Sequence, residues 1–149
     1  MSSPLLGDVV WAVTDDPKYL PNSVENSDLD LDRPVDGLPA PLTLQLPVIV
    51  GGEPVSVRLP LSKGDGPITV GDLLSVIYHF YNKTNISDVP ELVELIDQPE
   101  LVRRMRDSLF VPVIELLSTR ERNFLYFGGL EVEGGAVVVG LKTFDGDKL

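Results

Sequence analysis

The sequence contains no cysteine and a single histidine, His79. The first absence removes disulfides, thiolate zinc sites and thiol nucleophiles together, and it fits a reducing interior. The second leaves no histidine cage for a metal. Any Ser-His-Asp relay has to pass through His79, which lies near the end of a predicted helix, where the helix dipole favours it or where it simply faces solvent. Positive charge is also scarce: 12 Lys and Arg stand against 23 Asp and Glu, for a net charge of −11 and a sequence pI near 4.3. Neutralising phosphates needs a basic surface, so this balance argues against nucleic acid as a partner. The same acidity keeps a protein soluble.

No apolar run approaches the roughly 18 residues that a membrane span requires. Met1 to Gly7 lacks the basic start and long apolar core of a signal peptide, so the expectation is a soluble, intracellular protein with no membrane partner. Asn82-Lys83-Thr84 and Asn85-Ile86-Ser87 match the glycosylation pattern, yet without a secretory signal they read as a polar loop after a helix. Phosphate-binding fingerprints are missing too. Gly51-Gly52, Gly64-Asp65-Gly66 and Gly128-Gly129 have neither the glycine spacing nor the lysine of a nucleotide loop and read as turns, so no cofactor and no small-molecule ligand is predicted.

What the chain does have is apolar residues in concentrated blocks. A mean hydropathy of +0.12 is high for so charged a sequence and requires apolar surface to be buried in a core or against a partner. Residues 1–41 are different: they hold six of the thirteen prolines and eight acidic residues against two basic ones, which is the composition of an arm. Within the arm, Val9, Val10 and Trp11 begin a β-prone apolar run, Val9-Val10-Trp11-Ala12-Val13, with the only tryptophan. It is costly to leave in water and is expected to dock on the domain or on another chain.

From Leu42 the pattern becomes that of a domain spanning residues 42–149. Leu42, Leu44, Leu46, Val48 and Val50 alternate with other residues, and Val55, Val57, Leu59 and Leu61 repeat the period, predicting a hairpin across Gly51-Gly52-Glu53-Pro54. Pro47, Pro54 and Pro60 cannot donate to a ladder and imply an edge or a bulge. Thr69 and Asp72 form a capping-box variant ahead of Val70, Leu73, Leu74, Ile77 and Tyr81 at helical spacing. Two further helix starts, Asp88-Val89-Pro90-Glu91 and Asp97-Gln98-Pro99-Glu100, place Asp and Glu three apart with proline in the first turn. Leu109 to Leu117 and Asn123 to Phe127 read as strands, and Leu130 to Glu133 meets Ala136 to Leu141 across the tight turn Gly134-Gly135. Ala136-Val137-Val138-Val139 is apolar on both faces and belongs at the centre of a sheet or under a partner. The expected fold class is α+β: a mostly antiparallel sheet with two to three helices from the middle of the chain on one face, plus an extended N-terminal arm.

The proline-bounded hairpin, Ile68-Thr69-Val70-Gly71-Asp72-Leu73-Leu74, the aromatic end of that helix, and Leu116-Leu117 leading to Phe127-Gly128-Gly129-Leu130 carry a resemblance. Over residues 42–142 the chain resembles a family of uncharacterised domains seen mainly in fungi, with relatives in large DNA viruses. The resemblance implies the fold and brings no catalytic residue with it, and the arm lies outside it.

Two charge clusters remain. Asp28, Asp30 and Asp32 alternate with leucines. They depart from a calcium loop because Arg33 replaces the required glycine and Pro39 the bidentate glutamate, so no metal is assigned and an acidic linker or clamp is expected. Arg103, Arg104, Arg106, Arg120 and Arg122 reverse the overall charge locally and suit a carboxylate-rich segment, of which the acidic arm of another copy or of a partner is one. The functional expectation is a non-catalytic structural or protein-interaction component of a larger assembly, such as a minor virion protein, docking through its arm onto protein partners or copies of itself. The alternatives are a cellular adaptor or regulatory binding module, and an enzyme of unknown type, which predicts a deep pocket holding perturbed carboxylates or His79.

Overall fold

A computed structural model describes residues 5–39, 41–51, 53–62, 66–116 and 126–142. Its frame is a sheet of strands β1 (Leu42–Val50), β2 (Glu53–Leu61), β3 (Tyr126–Glu133) and β4 (Ala136–Lys142) in the order β2-β1-β4-β3. Both hairpins are antiparallel, as their period-two patterns and tight turns predict. They meet along one parallel seam, Thr43 to Gln45 of β1 against Ala136 to Val138 of β4. The sheet is therefore mixed. A parallel pair needs a long crossover, and the helical stretch between β2 and β3 supplies it. β4 is central, and Val137, Val139 and Leu141 are buried, as the apolar run Ala136 to Val139 requires.

The prolines of the first hairpin follow a rule of the ladder. Only two residues separate Val50 from Glu53, so that pair is hydrogen-bonded and every second pair after it is too. Pro47, Pro54 and Pro60 all fall on the alternate, non-bonded pairs, opposite Ser56, Ile49 and Thr43. Their missing donors thus face away from the β1–β2 ladder. Pro47 also lies beyond the stretch of β1 that β4 pairs.

Helix α1 (Val70–Lys83) begins with a complete capping box: Asp72 N–H donates to Thr69 Oγ1 at 3.1 Å and Thr69 N–H to Asp72 Oδ2 at 2.9 Å. It buries Val70, Leu73, Leu74, Ile77, Phe80 and Tyr81, and the Tyr81 hydroxyl donates to the Pro47 carbonyl at 2.6 Å. Two short helices follow, α2 (Pro90–Val93) and α3 (Pro99–Arg106). Each has proline in its first turn as predicted, but the caps are Val89 and Gln98, without side-chain bonds, rather than Asp88 and Asp97.

Leu109 to Leu117 does not form the expected sheet strand. Its described part pairs with the loop after α1, through Ile86 N–H to Val111 O at 2.8 Å and Val113 N–H to Thr84 O at 3.1 Å, and then turns through a 3-10 segment, Val113–Leu116. Val111, Val113 and Leu116 still enter the core, so their apolar, β-branched character reports burial rather than strand. Gly128-Gly129 also departs from expectation. It is a β-bulge opposite Gly140, not a turn, and a Cβ at Gly128 would stand 3.3 Å from the Gly140 backbone. Of the predicted aromatic strand, Asn123 to Leu125 lie outside the described residues.

Residues 5–35 wrap around this frame. Leu5 exchanges two 2.8 Å backbone bonds with Leu130, and Phe127 N–H donates to Trp11 O at 2.8 Å, so the segment covers the outer edge of β3. Further on, Arg33 O and Leu31 O accept from Val70 N–H and Gly71 N–H at 2.9 and 2.8 Å. With the capping box, the donors that a helix N-terminus leaves without intrahelical partners are all satisfied. Trp11, Val13 and Leu20 join the same buried cluster as α1 and the sheet.

Candidate functional site

Of the interaction residues singled out in the sequence, all but Arg120 and Arg122 have a definite place. Val9 and Trp11 are buried at 4% and 2% exposure, and the Trp11 ring lies 5.6 Å from that of Phe127. Trp11 Nε1–H donates to Asp15 O at 2.8 Å. Val10 points outward at 46%, while its backbone is clamped by buried Asn26, which accepts from Val10 N–H and donates to Val10 O. Asn82 reaches from α1 to Val13 O at 2.7 Å. The apolar run of the arm therefore docks within its own chain.

Asp28, Asp30 and Asp32 are exposed, with Leu29 and Leu31 half-buried against the core. Asp30 Oδ1 accepts from Asp32 N–H at 3.0 Å, a local turn bond. Among the described residues no cluster of His, Asp or Glu is placed to hold a metal ion. On α3, Arg104 pairs with Glu115 at 3.2 Å and ties the helix to the 3-10 segment. Arg103 and Arg106 are exposed in the last turn, where cations complement the helix dipole. Arg120 and Arg122 lie outside the described residues. Among the described residues, no ion pair links the three aspartates to Arg103 or Arg106.

The end of α3 shapes a surface that the sequence did not announce. Leu109 N–H bonds Arg104 O at 3.0 Å and Ser108 N–H bonds Met105 O at 3.1 Å, with Ser108 left-handed at φ 59°. This cap turns the chain outward, and Leu109 and Phe110 emerge 51% and 53% exposed beside the helix that carries Arg103 and Arg106. Pattern reading assigned both residues to a strand, so only the cap geometry reveals their exposure.

A second feature, also missed, is a groove of about 480 Å³ between β2 and the outer side of α1. Val57, Arg58 and Leu59 form one wall; because they are consecutive, the strand meets the groove with its backbone edge. Val76, His79 and Phe80 form the other wall, and Thr84, Asp88, Val89 and Glu91 complete the lining. Ser75 lines it as well, but among the described residues no hydrogen bond or ion pair joins the His79 side chain to Ser75, Asp88 or Glu91. The geometry offers an apolar slot with an acidic rim. The available signal in the sequence was Val76, an apolar residue off the buried stripe of α1.

No helix among the described residues is long and apolar enough to cross a membrane. Comparison with known proteins finds no family model, no curated protein and no solved structure that matches this chain.

Proposed function

We propose that the chain is a non-catalytic protein-interaction component of a larger assembly, and that it docks through the arginine-bearing end of α3. The observation that carries this reading is the joint exposure of Arg103, Arg106, Leu109 and Phe110 on one short segment. Arginine and aromatic side chains are the types enriched where interfaces concentrate their energy, and two adjacent large apolar residues over half exposed are unfavourable in water. The partner surface is carboxylate-rich with an apolar centre. Asp28, Asp30 and Asp32 of a second copy supply such carboxylates, since they remain exposed and unpaired with these arginines in their own chain.

This reading keeps the interaction class and the arginine and aspartate clusters expected from the sequence, adds Leu109 and Phe110, and leaves out the Trp11 run, which is inside the core. The family resemblance over residues 42–142 supports a virus particle as one such assembly. Charge reversal at Arg103 and Arg106 together tests it. Co-purification from the native source is expected to lose its fixed-stoichiometry partner, and the wild-type association is expected to weaken as salt rises from 50 to 500 mM. Association that ignores both changes would count against the α3 surface.

A further inference from the structure

We propose that the groove beside β2 is a strand-addition site for an extended peptide segment of another protein, one in which an apolar side chain is flanked by Lys or Arg. The sheet has two edges, and they differ. β3 is covered by the chain's own residues 5–12, through the bonds of Leu5 and Trp11 described above. β2 has β1 on one side and, among the described residues, no strand on the other. An unpaired edge is a template for another strand, and proteins that leave one open restrict it.

The restriction here is built from prolines. The ladder parity that starts at Val50–Glu53 turns the backbone groups of residues 54, 56, 58 and 60 outward. Two of these are Pro54 and Pro60, which have no N–H. The open donors are thereby cut to Ser56 and Arg58, a window for a few residues of added strand rather than for sheet-to-sheet aggregation. That window coincides with the groove, whose wall is Val57, Arg58 and Leu59. A strand laid there points alternate side chains into the slot between Val57, Leu59, Val76 and Phe80.

Charge selects the occupant. The slot is lined by exposed Asp88 and Glu91 on a chain of net charge −11, while the alternation along β2, with Val57 buried and Arg58 exposed, sends the Arg58 side chain to the other face of the sheet. A basic side chain on the incoming segment is matched there, and an acidic one is repelled.

The experiment selects peptides from a random phage-displayed library on the full chain and measures the enriched sequences, as labelled synthetic peptides, by fluorescence anisotropy. Alternating apolar and basic residues are expected. Arg58→Pro removes one outward donor without touching the β1–β2 ladder, because its position has the parity of Pro54 and Pro60, and binding should fall at least tenfold. Arg58→Ala retains the N–H and should bind within about twofold of wild type, which separates backbone pairing from loss of the guanidinium. Asp88→Asn with Glu91→Gln should weaken binding and flatten its salt dependence. Circular dichroism and thermal melting establish that each variant is folded. The proposal is overturned by a selection that enriches nothing, by peptides that bind Arg58→Pro as well as wild type, or by equal binding of acidic and basic sequences. It is equally overturned by a β2-to-β2 dimer, seen in sedimentation and abolished by Arg58→Pro, since the occupant is then a second copy.

Discussion

Single residues hold conformations here that ordinary propensities disfavour, and these are the most direct levers on stability. Ser108 sits at φ 59° in the cap of α3, a position that glycine fills without steric cost. Ser108→Gly is expected to stabilise the fold by about 0.5–1 kcal/mol, the left-handed penalty less the added chain entropy. Urea denaturation measures it, and a loss of stability contradicts the cap described. Tyr81 is the opposite case, a polar tip fully buried. Burial pushes its hydroxyl well above the ordinary value of 10.0, and the hydrogen bond to Pro47 O uses the protonated form. Above pH 10 the unfolded chain releases this proton while the folded chain keeps it, so stability is full below that pH and declines as pH rises toward the folded value. Tyr81→Phe should cost about 1 kcal/mol at neutral pH and make the alkaline decline shallower in melts across the pH range.

At the scale of elements, the junction between residues 31–35 and α1 is the most exacting contact. A Cβ on Gly71 would stand 3.0 Å from Leu31 O, the acceptor of the Gly71 N–H. Alanine for glycine in a helix ordinarily gains up to about 1 kcal/mol, whereas displacing this carbonyl costs about 1–3 kcal/mol by analogy with overpacking. The second effect wins because the obstructing atom is backbone. Gly71→Ala should therefore lower the melting temperature and raise hydrogen exchange at Val70 and Gly71; a gain in stability denies the junction. The elements that were legible in the sequence were those with a complete local code. Alternation and glycine-containing turns announced both hairpins, and Thr69 with Asp72 announced α1. The parallel seam, the pairing of Val111 with Ile86 and the Gly128-Gly129 bulge were not legible, because each depends on backbone partners far away in the chain and not on local pattern.

For the whole molecule, composition and packing give different divisions. The acidic, proline-rich composition of residues 1–41 marks an arm, yet Trp11 and Val13 lie in one cluster with α1 and the sheet. Trp11→Ala should cost about 3–5 kcal/mol and lower a single cooperative transition, not a separate early one. Calorimetry distinguishes these outcomes. The candidate surfaces were only half legible. Sequence charge marked Arg103, Arg106 and the aspartates of the acidic strip, but exposure of Leu109 and Phe110 depends on the Ser108 cap, and the groove depends on which edge of the sheet the arm leaves open.

The central claim, docking through the end of α3, is tested most directly by placing a photoreactive phenylalanine analogue at Phe110 of the full chain, irradiating in the native source, and identifying the adducts by mass spectrometry. Adducts at fixed stoichiometry with a carboxylate-rich surface of a partner or of a second copy are the predicted result. Adducts confined to the same chain, or none, would contradict it.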